Sequence, residues 1–364
     1  MTPEGRMVAR ARRDATRGAA RDALFLRNTP GRSEPRLLLF RHVQKRAYVV
    51  VAALLAHLLC GIAGADLLTP LAPPTKVKKP HRGMQMVIGP VEVPSSSEIT
   101  QCTYFNNPST KDMAVNRVRI AVEGGSHHIH LYRPIDRTML HDDGHETCNF
   151  ALDFNVWELV LASQNTDLDW KLPRGVAFMF RAGEQLLAQT HFVDNGLLST
   201  PDPGWATFNL YAMKRKKVKS FAGALFGQDR DVKVPPHSTA FATTRCVFPR
   251  PVKVLALTGH YHFRGKEFTV NSWDGQTTGV ELYRNVGYVD PAFVRYAGKH
   301  QPEVPGLEWT CRYENDTDQE FTFGPFTDRN EHCNLFGFYY PSVGESEFMT
   351  CVQKDSVVKV DVTN

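Results

Sequence analysis

After residue 65 the chain shows no apolar stripe at the three- and four-residue spacing that a helical domain needs. It carries short runs instead, such as VRIAV (118–122), VAFMF (176–180), VKVLAL (252–257) and FTVNSW (268–273). These are rich in β-branched and aromatic residues, and clusters of Pro, Gly, Asn and Asp separate them. WELVLASQ (157–164) is the one candidate for a short helix. Many short strands with frequent turn signals predict an all-β protein of two tandem antiparallel β-sandwich, jelly-roll-like domains. One stretch breaks the texture: MKRKKVKSFAGALFGQDRD (213–231) is polar, basic and glycine-containing. It reads as a connector, and it divides the chain into a domain over 66–214, a linker over 215–231 and a domain over 232–364. At 364 residues, 42% hydrophobic and 22% charged, the chain is long and apolar enough for two folded cores.

The net charge of +5 suggests phosphate binding only until its distribution is seen. Residues 1–46 hold twelve Arg or Lys and four Asp or Glu, a local balance of +8, so the remainder carries −3. Past the amino-terminal arm there is no electrostatic case for nucleic acid. The arm runs into an apolar stretch, Ala47 to Ala65, that ends in Ala63-Gly64-Ala65. A positive flank, an apolar segment and small residues at its end describe an export signal with cleavage after Ala65; retained, the same segment is a membrane anchor. Residues 1–65 are therefore expected to be an arm plus signal or anchor. The location is expected to be secreted or periplasmic, with membrane contact only through 47–65.

Export changes how the cysteines are read. Apart from Cys60 there are six: Cys102, Cys148, Cys246, Cys311, Cys333 and Cys351. None forms a CxxC pair, so an even set in an oxidising compartment predicts a disulfide framework whose connectivity spacing does not choose. Asn315-Asp316-Thr317 is a glycosylation sequon, relevant in a eukaryotic secretory host.

Histidines gather in four compact groups: Gly124-Gly125-Ser126-His127-His128-Ile129-His130, Gln189-Thr190-His191, Gly259-His260-Tyr261-His262 and Glu331-His332-Cys333-Asn334. Along a strand, residues i and i+2 share a face, so His260 and His262 present two imidazoles to one metal, with His332 as a third donor. Imidazole suits copper, zinc, iron and nickel alike. In the first group, strand geometry favours His128 with His130. Joint ligation by His127 and His128 requires a bulge, which the preceding Gly-Gly permits. His141 and His145, in LHDDGHE, read as solvated.

Taken in order, HH, QxH, HxH and E-x-C-N followed by Tyr339-Tyr340 resemble the copper type II ascorbate-dependent monooxygenases, the peptidylglycine and dopamine β-monooxygenase group. The resemblance spans about Cys102 to Cys351. It implies two coppers per chain: an electron-transfer copper on His127, His128 and His191, and an oxygen-activating copper on His260, His262 and His332, facing each other across a solvent-filled cleft. Disulfides Cys102–Cys148, Cys246–Cys351 and Cys311–Cys333 are implied as well. So are Gln189 as an orienting group, ascorbate as reductant, and O2 with a small-molecule or peptide-like substrate as partners. His332 departs from the family, whose members carry Met there; a third imidazole is a harder donor than a thioether. The Arg, Asn and Tyr that hold a peptide carboxylate correspond here to Thr258, Asn334 and Phe336. Only the Asn is kept, and with the guanidinium goes the bidentate clamp on a carboxylate. The expected activity is C–H hydroxylation of an unspecified substrate. The alternatives are another copper oxidoreductase with a three-histidine site, or a non-catalytic copper-binding protein.

Overall fold

Where the sequence alternates short apolar runs with turn residues, the chain forms strands, and no α-helix occurs among the described residues. The computed structural model describes residues 77–363, apart from 124, 139, 143, 149–152, 195–202, 299–300, 343 and 346, and gives only the backbone of 126 and 127. The expected arm and the apolar segment at 47–65 lie outside these residues. Among the described ones, no helix is long and apolar enough to cross a membrane.

The first half comprises β1 (Gly83–Val91), β2 (Glu98–Asn106), β3 (Met113–Glu123), β4 (Ser126–Pro134), β5 (Gly144–Thr147), β6 (Trp157–Ser163), β7 (Asp167–Lys171), β8 (Val176–Phe180), β9 (Gln185–Val193), β10 (Gly204–Met213) and β11 (Ser220–Phe221). One sheet runs β1-β10-β3-β8-β11, with β7 on β3; the other runs β5-β2-β9-β4-β6. Val118 and Ile120 of the first sheet and Leu131, Leu186 and Leu187 of the second meet in one core.

The second half comprises β12 (Gly223–Asp229), β13 (Lys233–Val234), β14 (Ser238–His260), β15 (Gly265–Trp273), β16 (Thr278–Val286), β17 (Val294–Arg295), β18 (Glu303–Asn315), β19 (Phe321–Thr322), β20 (Asn334–Tyr340), β21 (Phe348–Lys354) and β22 (Val357–Thr363). Most of these join one sheet, ordered β16-β15-β18-β14-β20-β12-β21-β22. Its long strand β14 pairs with β18 up to Val247 and again at Val252 and Lys253, and from Lys253 onward it takes β20 on its other edge. Pro249 and Pro251 sit in the gap, and with no N–H to give they interrupt the β18 ladder there.

Two sequence expectations are corrected. WELVLASQ is not helical: Trp157–Ser163 is strand β6, buried at every position. It lies between the first core and strands β12 and β21, so both faces are buried and the period-two signature is absent. The connector is also shorter than 215–231, because Gly223–Asp229 is the fully buried strand β12, hydrogen-bonded on both sides. Its glycines and Gln228 gave a polar look to a strand packed under Trp309, whose ring leaves no room for a Cβ at Gly227.

The first core continues through Ala224, Phe226, Leu255, Phe336 and Phe338 onto one face of the large sheet, while Val270, Trp309 and Leu335 belong to a second core. The cysteines pair as Cys102–Cys148, Cys246–Cys351 and Cys311–Cys333, the pairs the resemblance implies, with Cα separations of 5.7, 6.2 and 5.8 Å. Three disulfides mark a protein of an oxidising, extracytoplasmic compartment. Asn315 of the sequon is buried, and its amide donates to the carbonyls of Pro235 and Gln319. In the folded chain it anchors a turn.

Candidate metal centre

The carboxy-terminal histidines sit where strands end. His260 closes β14 opposite Asn334, the first residue of β20. The chain then leaves the sheet: Tyr261 packs on Phe268 and its hydroxyl donates to the Gly287 carbonyl. His262 lies edge-on to His260 at 5.1 Å between ring centroids. His332, just before β20, is 5.3 Å from His260 and 4.3 Å from His262. One ligand atom from each of the three falls within 4.8 Å of the others; among the described residues this is the one trio of His, Cys, Asp or Glu that converges so closely.

A second set of groups fixes these rings. Nδ1 of His262 donates to the Asn330 carbonyl at 3.0 Å, which leaves Nε2 as the donor atom toward the centre. The buried Glu331 carboxylate accepts the backbone N–H groups of His262 (3.0 Å) and Arg264 (2.8 Å), tying the turn after β14 to the segment that carries His332. Burial pushes Glu331 up to about 7, against the pull of those two donors. The Tyr313 hydroxyl donates to the His332 carbonyl at 2.5 Å, and Cys333 is bonded to Cys311 of β18. Burial, with His191 nearby, pushes the His332 imidazole down to about 3, so it stays neutral and able to ligate. Asn330 and Tyr313 give no signal in the sequence; Glu331 is visible there as the E of E-x-C-N, without this anchoring role.

The amino-terminal histidines lie inside strands. His128 of β4 stands opposite His191 of β9, centroids 4.9 Å apart, and His130 stands opposite Gln189. The register skips between Ser126 and His128, so a bulge does occur at His127. Gly125 supports it with φ +73, and a Cβ there would meet the Val193 carbonyl at 2.4 Å. The side chain of His127 is outside the described atoms. His130 stacks on His128 at 4.5 Å. Its Nδ1 meets the Tyr132 hydroxyl (3.1 Å) and Gln189 Oε1 (3.4 Å), and its Nε2 meets the Gln164 amide (3.3 Å). Burial pushes it down to about 3, with the Gln189 contact opposing and His191 adding. His191 Nε2 is 3.2 Å from Glu98. Burial pushes Glu98 up, but the hydrogen bonds from His191 and Thr327 and the His191 charge outweigh it and hold the carboxyl below its usual range.

Among the described residues the two histidine groups, expected to face each other across a cleft, lie against each other. His128 and His260 are 5.1 Å apart, edge to face, so both groups join in one buried cluster. The cause is the apolar contact of the halves beside it, where Phe226 packs on Phe154 and Phe336. A cavity of about 540 Å³ opens on this cluster, lined by His128, His130, His260, His262, His332 and Asn334 with Tyr132, Phe154, Phe226, Phe323, Phe326 and Phe336. Thr258 is fully buried and is paired with Phe336 on the sheet. Arg230 brings a guanidinium to the cavity from the end of β12. His141 is no part of the centre; it stacks on Tyr104 at 4.4 Å. His145 is exposed on β5.

No protein-family model and no curated protein matches the sequence. Among solved structures, the crystal structure of the STIV MCP aligns at 7% identity and a TM-score of 0.27, over 68% of this chain and 93% of that one. The N-terminal CBM22-1-CBM22-2 tandem domain from Paenibacillus barcinonensis Xyn10C aligns at 6% identity and a TM-score of 0.14, over 72% of this chain and 84% of that one. Neither likeness is close enough to bear on the fold or the site.

Proposed function

We propose that this chain is an extracytoplasmic copper protein acting as an ascorbate-dependent monooxygenase, hydroxylating a C–H bond of an organic substrate with O2. The observation that carries this reading is the trio His260, His262 and His332, its donor atoms within 4.8 Å, on the wall of an aromatic cavity. Three imidazoles fit copper, and the cavity side leaves room for a further ligand. Copper held there supplies O2 binding and one-electron chemistry. His128 and His191 are the residues that would hold the second, electron-delivering copper.

The chain's own part is positioning. Asn330 and Glu331 fix the rings, and the phenylalanines exclude water and receive an apolar substrate body. Asn334, opposite His260, offers an amide to a polar group of the substrate. Arg230 offers a cation that the family-like clamp position, Thr258, does not. Residues 47–65 would direct export and be removed after Ala65.

A second reading has its own support: the 5.1 Å approach of His128 to His260 favours one coupled centre and another copper oxidoreductase chemistry. Copper loading of the intact protein, followed by metal-to-protein ratio, EPR and ascorbate-dependent O2 uptake with isotope-labelled O2, tests both. Two coppers with isolated EPR signals and label in a product support the monooxygenase. Two coppers that are EPR-silent through coupling support the second reading. A chain that retains no copper and consumes no O2 ends both.

A further inference from the structure

The basic run that interrupts the sequence texture takes no part in the histidine centre, and the fold gives it a shape of its own. After β10 a single 3-10 turn, Arg215–Lys217, buries none of its residues, because the sequence offers it no apolar face. The run is nonetheless held in place. The N–H groups of Lys219 and Ser220 both donate to the Gly175 carbonyl, at 2.7 and 3.1 Å, and β11 pairs in parallel with β8. Gly175 has φ +87, and a Cβ there would come within 2.9 Å of Lys219 Cγ. The glycine thus permits the turn and lets the lysine stem cross it.

These segments and the end of β7 wall a second cavity, of about 770 Å³, whose charged lining is Lys171, Arg174, Lys214, Lys216, Lys217 and Lys219. Among the described residues no acidic side chain lines it. All six cations are exposed, and among the described residues none lies within ion-pair distance of a carboxylate. The acids nearby are engaged elsewhere: Glu345 with Arg215, and Asp169 with Arg117. Six unneutralised cations around a concavity repel one another and focus a positive potential into it.

We propose that this cavity binds an anionic polysaccharide, a glycan chain bearing sulfate or phosphate groups, outside the cytoplasm. Lysine ammonium groups are mobile point charges suited to anionic groups along a flexible polymer. Among the described residues no aromatic ring lines the cavity to stack nucleic-acid bases. No large apolar side chain is exposed in either basic segment to enter a bilayer.

The test uses the full chain and heparin as the sulfated-glycan probe, with affinity measured by calorimetry at low and near-physiological salt. Affinity should fall steeply with salt, and K214Q/K216Q/K217Q should weaken it on the order of 100-fold at physiological salt. K233Q/K253Q/K359Q, an equal charge loss on other strands, should change it by less than about 3-fold. Both variants should keep the wild-type melting temperature, since all the replaced side chains are surface lysines. Equal weakening by both variants, or unchanged binding in the first, would overturn the proposal. Anionic vesicles or single-stranded DNA binding through the same lysines more tightly than heparin would replace it with a membrane or nucleic-acid surface.

Discussion

The two histidine groups are built on different parts of strands. His128, His130 and His191 are interior residues of β4 and β9, where cross-strand geometry sets the spacing and lays the rings side by side. Their nitrogens meet Gln189, Tyr132, Gln164 and Glu98. His260, His262 and His332 come from a strand end and from the two segments beyond it, where the backbone turns and the rings converge. Regular sheet stacks imidazoles; the ends of strands gather them. The carboxy-terminal group is therefore the one placed to close around an ion without rearrangement.

Removing one ring from each group is expected to give the largest contrast. H260A should lower copper affinity by more than the roughly 100-fold that marks loss of an outer partner, whereas H130A should lower it by less than about 10-fold, both read by competitive titration. Equal losses would mean that His130 is a ligand and that its contacts with Tyr132 and Gln164 are exchanged for metal. E331Q comes next. An amide in place of the carboxylate cannot accept both the His262 and Arg264 N–H groups through oxygen, so the turn loosens. Copper affinity should fall about 10–100-fold, with the fold intact by circular dichroism.

Much of this centre was legible before the structure, and the reasons are local. His260 and His262 are two residues apart at the end of a run, VKVLAL, that reads as a strand, so their shared side followed from the pleat. The bulge at His127 was foreshadowed by Gly124-Gly125. What sequence cannot carry is the distance between segments: that His332 meets His260, or that His128 of one half meets His260 of the other, depends on how the sheets pack. The Asn330 carbonyl is invisible for the same reason, since backbone acceptors have no sequence signature. Strands β6 and β12 were misread because both are buried on two faces, and double burial erases alternation.

A smaller effect separates ligands from scaffold. His141 is exposed and stacks on Tyr104 and, at 5.6 Å, on Trp157. H141A should cost about 1 kcal/mol in urea unfolding and leave the copper content unchanged. A lost copper would move the amino-terminal site to the β5 side of the sheet.

The smallest predicted effect compares how each half tolerates a buried acid. Glu184, in the first half, is raised by burial but opposed by Arg133 and Arg137. Asp229, at the end of β12, is also raised by burial, and what opposes it is neutral: the Asp231 N–H at 2.9 Å and the Thr244 hydroxyl at 3.1 Å. A carboxyl raised above its ordinary 3.8 favours folding most when protonated, and that contribution is lost as pH rises through the folded-state value. D229N removes the titration, so urea midpoints of wild type and variant should diverge as pH climbs past 3.8, the wild type losing ground. E184Q should diverge in the same sense, because burial raises the Glu184 carboxyl beyond what Arg133 and Arg137 offset. Parallel curves for D229N would mean that the Asp231 N–H and the Thr244 hydroxyl fully offset the burial of the Asp229 charge.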